Sequence, residues 1–419
     1  EKQFKSYSIM AAVSNDIKIL IENIVKEDIH ADNRKVTPLP SAFWKSLKGC
    51  GTELWLDTGD IEQASKNWSA EMSGLTTNNT LLNKEIQKGI YDLFIEKTDQ
   101  VLKDLDIRER IMEISFILNA RHGLTISKIF GCKVSVELHT NMAHDLEGIV
   151  DYGHRFYSIC PEYFIIKVPY TPTGLLGARK LGEAGIPVNF TLGFSARQNL
   201  LATLVAKPAF VNVFLGRIGA YIKSNGLGEG TYAGEKTTIE SQKIVNKYGE
   251  NHTRQIAASI RSADQLELLA GIDVHTIPTA VANDAVNSLS GRFASKREIN
   301  YQVALSDNLE RDSIQFDKLW KISENELKLA TDLNENLPDS GHELVKRAIA
   351  YGCNDMFPEL SDDERTTISQ NGKIPVHSNW TDLINKGDIA VDTLLNLAGL
   401  ASFTADQSEL DKRIEGLII

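Results

Sequence analysis

The stretch FIIKVPYTPTGL, residues 164–175, sets a lysine between Ile-Ile and Val-Pro in a run that is otherwise apolar and β-rich. Lysine is among the residues least often fully buried. Either the side chain of Lys167 reaches solvent, or the fold holds an ammonium group in its interior for a purpose. The neighbouring runs bear on that choice. Upstream lie TELWLD (52–57), SGLTTN (73–78) and KVSVEL (133–138). Downstream lie PVNFTL (187–192), AFVNVF (209–214), RQIAAS (254–259) and DVHTI (273–277). Each run is short and carries apolar or β-branched residues, and longer amphipathic stretches separate them. Eight strands alternating with helices predict an α/β fold with a parallel sheet. Eight such units can close on themselves, and the stretch from 52 to 277 has the length of a (β/α)8, or TIM, barrel. An open doubly wound sheet is the alternative, because periodicity does not report closure.

The barrel is expected to occupy residues 51–290, after an N-terminal helical extension over 1–50. In that extension IKILIENIVKEDI (17–29) has helical spacing and HADNRKVTPLPS (30–41) breaks it. From 291 the character changes. SIQFDKLWKISENELKLATDLNEN (313–336) and ELVKRAIAYG (343–352) read as amphipathic helices. MFPELSDDERTTISQNGKIPVHSN (356–379) is polar and contains Pro and Gly, and the chain from Trp380 onward is again helical. Residues 291–419 are therefore expected to form helices that pack on the barrel or make a small subdomain.

The chain has 419 residues, 42% of them hydrophobic, and a net charge of −11. That balance argues against a nucleic-acid partner or an anionic membrane surface. An anionic small substrate would need a local cationic pocket. Cys50, Cys132, Cys160 and Cys353 are scattered, with no CxxC pair, which points to a reducing compartment and a cytoplasmic location. No apolar run approaches a membrane span, and no signal-peptide pattern is read.

In a β/α barrel, chemistry sits at the carboxyl ends of the strands. Those ends supply Asp57; Thr76, Thr77 and Asn78; Glu137; Lys167; Asn189 and Thr191; Asn212 and Phe214, with Arg217 just beyond; Ser259 and Arg261; and Thr276. A barrel built only for stability would place Val, Ile and Leu there, so a ring of polar groups reads as a site. Within it Lys167 has a role. Desolvation favours a neutral amine, and a neutral amine attacks a ketone to form a Schiff base. A buried ion pair between Lys167 and Glu137 is the plain structural alternative. Glu137 and Thr191 suit a proton shuttle through a bound water, and Asp57 suits proton exchange with a substrate hydroxyl. Asp57 could equally cap the following helix, as could Thr58 or Asp60. Arg217, Arg261 and the Ser259 hydroxyl would make a phosphate clamp, or the arginines are merely superficial.

Two other patterns are weaker. ELHTNMAHD (137–145), with His154 beyond, holds possible metal ligands, but Lys167 would repel a cation, so no metal is expected. NGLGEGTYAGEKTT (225–238) is Gly-rich but follows a helical stretch and lacks the GK[ST] of a P-loop; it reads as a mobile loop.

LWLDTGD, GLTTNNTLL, VSVEL, IIKVP, GIPVNFTLGFSARQ, VFLGR and AASIR, in that order, resemble the transaldolase family, as does the final FTADQSELDKRIEGLI. The resemblance covers residues 53–280 and the last turns. It implies a cofactor-free transferase of the non-oxidative pentose phosphate pathway. Such an enzyme moves a dihydroxyacetone unit from fructose 6-phosphate or sedoheptulose 7-phosphate to an aldose phosphate. Lys167 would be the Schiff-base lysine and Asp57 the general acid/base. Glu137 and Thr191 would hold the catalytic water. Asn78 and Asn189 would bind the dihydroxyacetone moiety, with Thr77, Asn212 and Phe214 beside it, and Arg217, Ser259 and Arg261 would hold the phosphate. The related fructose 6-phosphate aldolases carry Tyr where this chain has Phe214 and Gln where it has Glu137. An aldolase releasing dihydroxyacetone, and a barrel that only binds sugar phosphates, are the alternatives. The partners implied are sugar phosphates, with homo-oligomerisation left open. Three features depart from the family: TTNN replaces TTNP at Asn79, Asn212 replaces a frequent serine, and the tail is longer.

Overall fold

The computed structural model describes residues 13–29, 35–250, 252–306 and 315–418. Eight parallel strands form a closed barrel in chain order: β1 Glu53–Asp57, β2 Met72–Thr76, β3 Lys133–Glu137, β4 Phe164–Pro169, β5 Val188–Thr191, β6 Phe210–Phe214, β7 Arg254–Ala258 and β8 Val274–Pro278. Each expected run contains its strand, to within a residue at the ends. β1 pairs with β8 as well as with β2, which removes the open-sheet alternative.

The interior is layered. Trp55 on β1 and Phe210 on β6 belong to strands that are not neighbours, yet their rings lie 5.0 Å apart, so both point inward. Gly74 makes room for that indole: a Cβ there would come within 2.6 Å of the ring. Glu53 accepts from Trp55 Nε1 at 2.8 Å and from Ser73 Oγ at 2.7 Å, and pairs with Arg254. The amino end of the barrel is thus plugged and internally neutralised. Toward the carboxyl end the inward residues become polar on seven strands, at Asp57, Thr76, Glu137, Lys167, Asn189, Asn212 and Thr276, while β7 keeps Ile256 and Ala258.

Outside the barrel, the helix Asn15–Lys26, capped by Ser14, buries Ile21, Ile24 and Val25 and packs on the long helix Ile107–Phe130. The N-terminal reading over 1–12 and 30–34 lies outside the described residues, as do Ser313 and Ile314 of the later helical reading. After the barrel come helices Glu324–Glu335, Gly341–Ala350, Asp362–Asn371, Thr381–Lys386 and Val391–Ile418. The third of these rises within the polar stretch 356–379. Its signal was a capping box: Ser361 accepts from the N–H of Glu364, whose carboxylate accepts from the N–H of Ser361. Gly387, at φ 75°, breaks what reads as one terminal helix into two. The Gly-rich stretch 225–238 is a loop only in part, since the helix Ala233–Tyr248 starts inside it.

The last helix, 28 residues and about 42 Å long, crosses the carboxyl end of the barrel. Asn396 donates to the carbonyls of Tyr170 (3.2 Å) and Leu192 (2.9 Å), just beyond β4 and β5. Arg197 fixes its start. The guanidinium bonds both oxygens of Asp392 at 2.8 Å and reaches Glu326 at 2.8 Å and Asp355 at 2.9 Å. No helix among the described residues is long and apolar enough to cross a membrane.

Candidate active site

Lys167 projects from the middle of β4 and is 4% exposed. Its Nζ donates to the carbonyl of Thr77 at 3.0 Å and stands 3.9 Å from Glu137 Oε2. β3 and β4 place Glu137 directly opposite Lys167, and β5 places Asn189 on its other side. The ion-pair alternative is therefore only loosely realised, because the amine's hydrogen bond goes to main chain. The aromatic ring of Phe403, from the last helix, covers the ammonium at 5.8 Å.

Two carboxyls accompany the lysine. Burial pushes the Glu137 carboxyl above its usual range, while Lys167 and the N–H of Asn79, 3.0 Å away, pull it back. Asp57 is likewise pushed up by burial, against the pull of Lys167 and of the Thr76 hydroxyl, which donates to Asp57 Oδ1 at 2.7 Å. Thr76 Oγ1 also lies 2.6 Å from Thr276 Oγ1. The cap of the following helix is made by Asp60 and not by Asp57: Asp60 accepts from Gln63 N at 3.0 Å. Asp57 is thereby left to the barrel interior.

The neighbouring amides form a chain. Asn212 Nδ2 donates to Asn189 Oδ1 at 2.6 Å and to the carbonyl of Phe190 at 3.0 Å, and Asn189 Nδ2 donates to Ser135 Oγ at 2.9 Å. Thr77 Oγ1 donates to the Ser135 carbonyl at 3.0 Å. Asn78 caps the helix Asn79–Gln87 by accepting from Leu81 N at 2.8 Å. These residues are held by the fold as well as placed near Lys167. Thr191, fully buried at the end of β5, has a hydroxyl with no partner.

The cationic side comes from β6 and β7. Arg217 is 5% exposed, and its Nε and Nη1 have no hydrogen-bond partner. Its guanidinium lies 5.4 Å from the Phe214 ring centroid and 5.6 Å from that of Phe403. Burial, helped by the charge of Arg261, pushes its pKa down to about 10. Ser259, directly after β7, has φ +60°, a strained value for serine, and its buried hydroxyl is also unpartnered. Gly216 permits the close approach: a Cβ there would press into the Ser259 carbonyl and lie 2.5 Å from Arg261 Cγ. Arg261 itself is exposed, so the alternative of superficial arginines holds for its position and not for that of Arg217.

The metal-like residues do not gather. His139 pairs with Asp411 at 3.1 Å, Asp145 caps a helix through Gly148 N at 3.0 Å, and no metal-capable cluster occurs among the described residues. Sequence reasoning missed Phe403, which reaches the site from far along the chain; only its membership of the C-terminal motif marked it.

The family model described as Transaldolase/Fructose-6-phosphate aldolase matches residues 54–331. The transaldolase of Saccharomyces cerevisiae is 30% identical over 258 residues, which is 58% of this chain and 75% of that one. The transaldolase of Schizosaccharomyces pombe is 27% identical over 285 residues, 65% of this chain and 86% of that one. The transaldolase of Shewanella frigidimarina is 28% identical over 247 residues, 57% and 77% respectively. With a closed barrel that gathers these residues at its carboxyl end, the chain belongs to the transaldolase/fructose-6-phosphate aldolase family of enzymes.

Proposed function

We propose that the chain carries out transaldolase chemistry through a Schiff base on Lys167. It would take a dihydroxyacetone unit from a ketose phosphate, fructose 6-phosphate or sedoheptulose 7-phosphate, and pass it to an aldose phosphate. The carrying observation is an enclosed lysine whose hydrogen bond goes to a main-chain carbonyl, beside two carboxyls raised by burial.

The neutral amine attacks the substrate ketone at C2. Glu137 exchanges protons with a water that also bonds Thr191, and the carbinolamine loses its oxygen as water. The protonated imine draws the electron pair of the C3–C4 bond toward itself. Asp57 takes the proton of the C4 hydroxyl as that bond breaks, and the aldose phosphate leaves. The enamine attacks an incoming aldehyde, Asp57 returns the proton, and hydrolysis frees Lys167. Asn78, Asn189 and Asn212 face the three-carbon fragment, with Thr77 beneath. Arg217, Ser259 and Arg261 hold the phosphate, whose oxygens satisfy donors that otherwise lack partners. Phe214 supports transfer over simple aldol cleavage, since it has no hydroxyl to direct a water at the enamine. The four unpaired cysteines fit a cytoplasmic setting.

The test is release of glyceraldehyde 3-phosphate from fructose 6-phosphate, with and without erythrose 4-phosphate. Release that requires the acceptor supports transfer; equal release without it makes the chain an aldolase. Lys167→Ala should lower turnover by at least about a thousandfold and abolish trapping by borohydride. Trapping that survives the substitution sinks the Schiff-base assignment.

A further inference from the structure

Glu137 Oε2 has two neighbours, Lys167 Nζ at 3.9 Å and the main-chain N–H of Asn79 at 3.0 Å. Lys167 in turn donates to the carbonyl of Thr77, two residues before Asn79. One short segment therefore gives an acceptor to the lysine and a donor to the carboxylate. Asn79 is the first residue of the helix Asn79–Gln87, where a main-chain N–H has no partner within the helix. Its own side chain is wholly buried, yet neither Nδ2 nor Oδ1 has a partner. The polar bond that Asn79 makes toward the site is thus made by its backbone. Proline is tolerated at a first helical position and has no N–H. The TTNP pattern from which this chain departs could not make the bond.

We infer that the main-chain N–H of Asn79 is a positioning donor for Glu137: it pins Oε2 beside Lys167 and leaves Oε1 to exchange protons with the catalytic water. The inference rests on Glu137 being the proton carrier of the proposed reaction. The charged groups that face Glu137 are Lys167 on β4, Asp57 on β1 and Arg217 after β6, and the N–H acts in addition to them. A donor to the ionised form favours that form, so removing it moves the Glu137 titration to higher pH.

The experiment compares Asn79→Pro, which deletes the N–H, with Asn79→Ala, which keeps it and deletes the amide. In Asn79→Pro the acidic limb of the kcat profile should rise by roughly one pH unit. In Asn79→Ala the limb should stay where the wild type has it. An unmoved limb in Asn79→Pro overturns the inference, and so does an equal movement in both variants. A second measurement needs no variant at Asn79. In the wild-type chain labelled with 15N-asparagine, the Asn79 amide resonance should follow the Glu137 titration and cease to do so in Glu137→Gln. An amide indifferent to pH overturns the inference. Wild-type rate and profile in Glu137→Gln would instead remove Glu137 from the reaction, a failure of the underlying proposal.

Discussion

Two arginines divide the molecule. Arg197 and Arg217 are both withdrawn from solvent, at 1% and 5% exposure, and both follow barrel strands. Arg197 is saturated: three carboxylates bond it, Ser195 donates to Asp392 at 2.6 Å, and Lys318 joins through Asp355 at 2.6 Å. Arg217 faces two aromatic rings and forms no ion pair among the described residues. A buried guanidinium whose bonds are all made by the chain is part of the fold. One that the chain leaves unbonded awaits an anion, because stranding a desolvated charge is otherwise unfavourable. Burial raises the charge cost of both, and only Arg197 has carboxylates close enough to reverse it.

Replacing each arginine by methionine should break the pair apart, with the largest effect at Arg197. Arg197→Met leaves three carboxylates buried around an apolar side chain and should cost about 3–5 kcal/mol in chemical unfolding. Its KM for fructose 6-phosphate, measured where the variant is still folded, should stay near the wild-type value. Arg217→Met should do the opposite. Losing charge-assisted bonds worth roughly 1.5–3 kcal/mol each should raise KM by at least about a hundredfold, with stability equal or higher. An Arg217→Met protein with wild-type KM removes that residue from the phosphate clamp.

The same contrast holds for acids and can be read against pH. Burial opposes the charge of Asp392, but the charge of Arg197 and hydrogen bonds from Arg197, Ser195 and the main-chain N–H of Thr393 hold its carboxyl below the usual range. Its stabilising contribution is present above the unfolded value of about 3.9 and is lost as pH falls through the lower folded value. Asp57 runs the other way. Its folded pKa is raised, so its contribution is complete below about pH 3.9 and is lost as pH rises through the folded value. At neutral pH, Asp392→Asn should therefore unfold more easily than wild type, while Asp57→Asn should resist denaturant better and yet lose transfer. Both differences should shrink as pH is lowered through the acid range. A destabilised Asp57→Asn at neutral pH would mean that the barrel relies on that carboxylate for its fold.

How far this division was legible in the sequence follows from which contacts are local. A polar residue closing or interrupting an apolar run is a local signal, and it marks Asp57, Glu137, Lys167 and Thr191. Barrel closure was not local, and only the pairing of β1 with β8 decided it. The status of Arg197 was illegible because its partners Glu326, Asp355 and Asp392 lie in three separate C-terminal segments. Phe403 was hidden for the same reason: its contact with Lys167 joins residues far apart in the chain. Asp57 remained ambiguous between cap and site because neighbouring residues offered the same cap, and geometry gave it to Asp60.

The smallest predicted effect is also the most direct test of what Arg217 awaits. A ligand that binds only the folded chain stabilises it by RT ln(1 + [L]/Kd), about 1.4 kcal/mol at roughly ten times Kd. Inorganic phosphate should raise the denaturation midpoint by an amount of that order beyond what potassium chloride gives at matched ionic strength, because screening alone does not discriminate between the two anions. Arg217→Met should lose the phosphate-specific part. Arg197→Met, although much less stable, should keep it, because its carboxylates leave no room for an anion and its loss does not touch Arg217, Ser259 or Arg261. Equal stabilisation of both variants would place the anion elsewhere and leave the unpartnered guanidinium of Arg217 without a ligand to explain it.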